Sequence, residues 1–347
     1  MYKVWLLLLV LQDSSFAIQG PDLTAKWSKE GKTLMNGTLG NNTDQVFHPY
    51  GLFMDSNNNL YIADSGNNRI LKLAPDASHG TIVAGFEPNQ LTVPTGIVID
   101  KQSNLYILEG PLSSSGRVIR WEKGAKVGTV LFYGAEHLSG IVLDEKEEFF
   151  YHAESIQDRI IRYTKDGQHN SIVAGNHGQG SALYQLVTPW HVAIDRNHTL
   201  YIADSGNNRV LKWVLNTPEG ILVAGGNGYG NDTNQLKSPR SLLIDDEMNI
   251  LYIADTYNDR IVRVAMNDGT VTIIAGGNGQ GNAAHQLSHP NGLAFDNRGN
   301  LYVSDYENHR IQLFTLEKNS CNYNTSSLLV MYFLIFINIL RTIRQNK

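Results

Sequence analysis

A single cysteine, Cys321, stands in a chain of 347 residues, so no intrachain disulfide is available and packing must hold whatever fold forms. Positive charge is in short supply as well: 28 Lys and Arg are set against 33 Asp and Glu, a formal net charge of −5. Those basic residues are scattered rather than clustered, which leaves no field to gather nucleic acid and argues against that partner. Residues 24–318 lack a sustained 3.6-residue apolar period, so no long helix is expected there. Glycine-rich loops do occur at 175–189, 225–239 and 276–290, but each leads into a proline and a strand instead of a helix N-terminus, which argues against a phosphate cradle.

The two ends carry the longest apolar runs. Residues 1–17 combine an early lysine, the run Val4–Leu11, and the small residues Ser15 and Ala17 before a cleavage point, the pattern of a secretory signal peptide. Five N-x-[ST] sequons agree with export: Asn36, Asn41, Asn197, Asn231 and Asn324. Glycans near blades 1, 5 and 6 of the ring derived below would steer a partner toward the loops of blades 2 to 4. After a globular part at 18–318, residues 319–347 form a linker and an apolar run, Leu328–Leu340. As a helix that run reaches roughly 20 Å, short of a hydrocarbon core of about 30 Å. Its length suits the removable tail of a lipid-anchor signal, whereas the closing "RTIRQNK" suits the basic flank of a short membrane span; a plain apolar tail is the third alternative.

Between the ends the chain repeats itself. "YIADSGNNR" stands at 61–69 and again, unchanged, at 201–209. Related tetrads begin at Tyr61, Tyr106, Tyr151, Tyr201, Tyr252 and Tyr302, at intervals of 45 to 51 residues. Each is preceded by an apolar run such as "GLAFD" and followed by runs such as "RIQLF" and "TIVAG". Four short β-branched and aromatic runs bounded by Gly, Pro, Asn and Asp make one four-stranded antiparallel unit. A lone sheet of this size cannot bury both faces; six packed around an axis can, and the unit length favours a propeller. The innermost runs are apolar without alternation, as strands covered on both faces should be. The sixth unit lacks its outer strand, and "TLMNG" at 33–37 supplies it from the opposite end of the domain. The expected fold is therefore all-β, a six-bladed propeller closed by an N-terminal strand.

With its "GLxxD", "NLYIAD", "NNR" and "IVAG" elements, the unit resembles the NHL repeat over roughly residues 24–316. Blades 2 and 3 depart from it, with Glu109 and Glu154 in place of Asp and an insertion before Arg117. The resemblance implies a six-bladed propeller and, for function, a binding platform more often than an enzyme.

Each unit pairs an acid ending its second strand with an arginine opening its third: Asp64 with Arg69, Glu109 with Arg117, Glu154 with Arg159, Asp204 with Arg209, Asp255 with Arg260 and Asp305 with Arg310. Six occurrences around a ring mark a structural device, because a catalytic group is needed once. Function is sought where repeats differ. Five residues before each inner-strand aspartate the residue varies: Tyr50, Thr95, Ser139, Trp190, Arg240 and Asn291. Tyr50, Trp190, Arg240 and Asn291, with His191 beside them, offer aromatic faces, a cation and hydrogen-bond donors suited to a polar or anionic ligand at the channel mouth. A filled, inert mouth is the competing reading. His48, His137 and His289 share one repeat position, and their convergence on the axis would give a zinc site. These features together lead to an expected monomeric, non-catalytic recognition module, without a cofactor, that binds a protein or glycan on its loop face; the alternative is a metal-dependent lyase or hydrolase using the axial histidines.

Overall fold

In the fourth repeat the strands run Pro189–Ile194, Thr199–Asp204, Arg209–Val214 and Ile221–Gly225 from the axis outward, each antiparallel to the next. The same order recurs to give six four-stranded sheets in the computed structural model, which describes residues 24–35, 40–110, 115–136 and 138–317. The expected signal peptide at 1–17, Asn36, part of the blade 2 insertion, His137, Cys321, Asn324 and the tail at 319–347 lie outside the described residues.

Local chemistry sets the strand ends. Asp55, Asp100, Asp195 and Asp296 each close an inner strand by accepting backbone N–H groups of the following turn, as when Asp55 Oδ1 receives those of Asn57 and Asn59 at 2.9 and 2.8 Å. Such a carboxylate satisfies the turn amides that the ladder leaves free. The loop between second and third strands is a short 3-10 turn, at Ser65–Asn67, Ser205–Asn207, Thr256–Asn258 and Tyr306–Asn308. It ends in a left-handed residue, Asn68, Asn208, Asp259 or His309, with φ of 50–54°.

Packing between blades forms the core. Six apolar clusters each draw on two neighbouring blades; Ile70 and Ala84 of blade 1, for example, meet Ile107 and Ile119 of blade 2. A fully buried aliphatic or aromatic side chain contributes about 1.5–3 kcal/mol, so a disulfide is unnecessary. Closure follows the expectation: Lys32, Thr33 and Met35 pair with Leu313, Gln312 and Ile311 as the outer strand of blade 6. Met35 is wholly buried, and Trp27 lies against Tyr252 of blade 5 and Phe295 of blade 6, its Nε1 donating to Gly299 O at 2.9 Å. Close approach at the axis demands glycine, since a Cβ on Gly292 would lie 2.3 Å from the Tyr50 carbonyl oxygen.

Candidate functional site

The repeated nonapeptide has an assigned task at nearly every polar position. Arg209 Nε donates to Asp204 at 2.7 Å, and its Nη atoms donate to the carbonyls of Ser181, Ala182 and Gln185 in the loop that enters blade 4. Asn207 bridges Asp204 and Gly180 O. Ser205 Oγ donates to Pro239 O, and Asn208 Oδ1 accepts the Ser238 amide at 2.9 Å, both across the seam to blade 5. Blade 1 repeats the set with Asp64, Ser65, Asn67, Asn68 and Arg69. The other acid–arginine pairs form as well, at 2.5 to 2.7 Å. Burial pushes the Asp64, Asp204, Asp255 and Asp305 carboxyls above the usual carboxylate range, against the hydrogen bonds that hold them down. These groups are committed to holding loops, which leaves them unavailable for chemistry on a ligand.

The variable positions behave differently. Tyr50 of blade 1 and Trp190 of blade 4 stack across the axis, with ring centroids 6.4 Å apart and an interplanar angle of 23°. Arg240 of blade 5 lays its guanidinium 4.2 Å from the Trp190 ring and 5.5 Å from Tyr257. Its Nη1 donates to Asn291 Oδ1 of blade 6 at 3.4 Å, and Nη2 to Tyr257 OH at 3.5 Å. Tyr306 closes the cluster edge-on to Tyr50, with centroids 5.5 Å apart. Burial raises the Tyr50 phenol to about 12, the nearby Arg240 charge opposing it, so this hydroxyl stays protonated at neutral pH.

Four of the five candidates thus meet in one aromatic and cationic cluster. The fifth, His191, does not join it: its ring faces blade 3, where a Cβ on Gly140 would meet His191 Cδ2 at 2.6 Å. Burial drives its imidazole down to about 4. Thr95 and Ser139 serve structure, Thr95 Oγ1 donating to carbonyls of Leu108 and Leu138, and Ser139 Oγ sharing a hydrogen bond with Ser155 Oγ. The cluster draws on blades 1, 4, 5 and 6, of which only blade 4 belongs to the side that the sequons were expected to leave open; Asn41, Asn197 and Asn231 are all exposed.

The histidines have other neighbours. His48 stacks on His309 with centroids 4.4 Å apart and touches Tyr306, whereas His289 lies against Tyr257 with its Nδ1 3.8 Å from Glu307 Oε1. Among the described residues no group of three or more His, Cys, Asp or Glu is placed to hold a metal. Tyr257, Tyr306, Glu307 and His309 were not anticipated. Their signal was available in "TYND" and "YENH", which replace "SGNN" in blades 5 and 6.

Residues 186–213 and 287–314, the inner three strands of blades 4 and 6, match the model of the NHL repeat. Two of the six blades thus carry NHL repeats. Among solved structures, the propeller is similar to an auxiliary nutrient binding protein from Bacteroides thetaiotaomicron, at 18% identity and TM-score 0.62, over 88% of this chain and 76% of that one. A catalytically inactive virginiamycin B lyase from Staphylococcus aureus, solved with quinupristin, aligns at 16% identity and TM-score 0.52, over 84% of this chain and 100% of that one. The PQQ-bound aldose sugar dehydrogenase from Streptomyces coelicolor aligns at 14% identity and TM-score 0.56, over 84% and 99%. Likeness at these identities extends to the fold alone. No curated protein matches the chain in sequence.

Proposed function

We propose that this chain is an extracellular recognition propeller that binds a protein or glycan ligand on the face carrying its interblade loops, without catalysing a reaction on it. One observation carries the reading: the acid–arginine groups of the periphery are consumed by structure, whereas the variable residues Tyr50, Trp190, Arg240 and Asn291 converge on the axis. Aromatic faces beside a cation with no carboxylate partner among the described residues are groups that ligands use. The likeness to a nutrient binding protein supports a binding role. In this reading the signal peptide at 1–17 exports the chain, 319–347 attaches it to a membrane by a lipid or a short span, and the propeller acts as a monomer. Exposed sequons at Asn41, Asn197 and Asn231 carry glycans.

The test is capture of surface ligands by the full-length protein and by Tyr50→Ala, Trp190→Ala and Arg240→Ala. Loss of capture by these three, with retention by variants on the opposite face such as Asn197→Gln, is the expected result. If all three capture ligand as the unmodified chain does, the mouth is a filled plug and the reading fails.

A further inference from the structure

Two donors of the mouth cluster, Arg240 Nε and Asn291 Nδ2, are buried without an acceptor among the described residues. Arg240 forms no ion pair with any described carboxylate, and its Nε is buried without a hydrogen-bond partner among the described residues. By contrast Arg69, Arg117, Arg159, Arg209, Arg260 and Arg310 each face an acid. Asn291 is 2% exposed; its Oδ1 receives Arg240 Nη1, while its Nδ2 is buried with no partner among the described residues. Because amide oxygen and nitrogen belong to one planar group, the idle Nδ2 sits within that group's width of the guanidinium contact. Two idle donors beside one uncompensated positive charge make an incomplete arrangement.

We propose that this site is completed by a carboxylate of an acidic sugar, its two oxygens received by Arg240 and Asn291, with the sugar ring against neighbouring tyrosines. The inference rests on the proposed recognition role and names its ligand class. A guanidinium and one amide match the single charge and paired oxygens of a carboxylate. A phosphate dianion calls for more positive charge than this: the neighbouring cation, Lys237, is held 4.7 Å over the Tyr229 ring. The surface beside Arg240 suits a sugar. Tyr229 and Tyr257 are 63% and 39% exposed, and both lie next to Lys237, whose carbonyl receives the Tyr257 amide at 3.1 Å. Flat rings with hydroxyl edges accept the C–H face of a pyranose and its hydroxyl groups together.

Calorimetric titration of the full-length protein with methyl glucuronide, its uncharged methyl ester, and an N-acetylated glutamate amide tests the assignment. Binding of the glucuronide, weakened by added salt and reduced roughly tenfold or more on esterification, is expected. Arg240→Gln should lose the same factor. Asn291→Asp, which sets a negative charge against the ligand, should abolish binding, and both variants are checked by their unfolding transitions. Equal affinity for acid and ester overturns the proposal, and that comparison requires no variant. Equal affinity for the glutamate derivative replaces the sugar by a peptide acid and also overturns it. If no acid binds yet Arg240→Ala still loses surface capture, the sugar assignment falls while the recognition role stands.

Discussion

Two arginines in adjacent blades do opposite things: Arg209 opens the third strand of blade 4, and Arg240 stands just before the inner strand of blade 5. Arg209 is buried in a ring of carbonyls with Asp204 as counter-ion; Arg240 lies over aromatic rings at the axis with no acid beside it among the described residues. The first belongs to a pattern present in every blade, the second to a position where no two blades agree. Recurrence and neutralisation go together because a joint needed six times must be self-contained. Variation and an open valence go together where one copy of a group serves the whole ring. The seams show the same division. Asn68, Asp158, Asn208 and Asp259 each accept an amide of the next blade through an oxygen, but at the closing seam His309 Nδ1 accepts the His48 amide at 3.3 Å.

The largest expected effect is at the periphery. Arg209→Ala strands a buried carboxylate and should cost about 3–5 kcal/mol in denaturant unfolding. Met35→Ala, which empties the closing strand's buried contact, should cost about 2–5 kcal/mol and sharpen the contrast between closed ring and mouth. A gain is expected at His152, which is wholly buried where blade 4 has Ile202, and whose imidazole burial drives down to about 4. His152→Ile should stabilise by roughly 1 kcal/mol at neutral pH and more in acid.

The closing seam gives a smaller, pH-dependent effect. Burial lowers both His48 and His309, and their mutual charge lowers His309 further, while Glu307 opposes. A base with a lowered folded value contributes stability that is present above about pH 6.5 and lost as pH falls through the lowered value. The four buried aspartates have raised values, so their contribution runs the other way, present in acid and lost as pH rises. Acid weakening from pH 6.5 down to the carboxylate range therefore belongs to the imidazoles, and below it the lowered Asp100 carboxyl adds to the decline. His309→Asn, which copies Asn68 and Asn208, should leave stability at pH 7.5 nearly unchanged and flatten part of the decline; an unaltered pH profile would remove the seam from this account.

Much of the architecture was legible because it is written six times. Apolar inner runs, turn residues and the period sufficed for six blades, and the missing sixth outer strand pointed to 33–37, where the described strand is Lys32–Met35. Tasks inside "SGNN" were hidden, since Ser205 and Asn208 act on the next blade, and a repeat read alone does not show its neighbour. The mouth was legible as positions but not as an assembly. Tyr50 and Trp190 are 140 residues apart in sequence, and their stacking follows from the diametric placement of blades 1 and 4. His191 misled for the same reason: one step along a strand reverses the side chain, sending it toward blade 3 instead of the axis.

The division between periphery and axis is tested most directly by thermal unfolding of Arg209→Ala beside Arg240→Ala in the full chain. The account requires a fall of roughly 5–10 °C for Arg209→Ala and little change for Arg240→Ala. Equal losses would make Arg240 another structural joint and would contradict the assignment of the mouth to recognition.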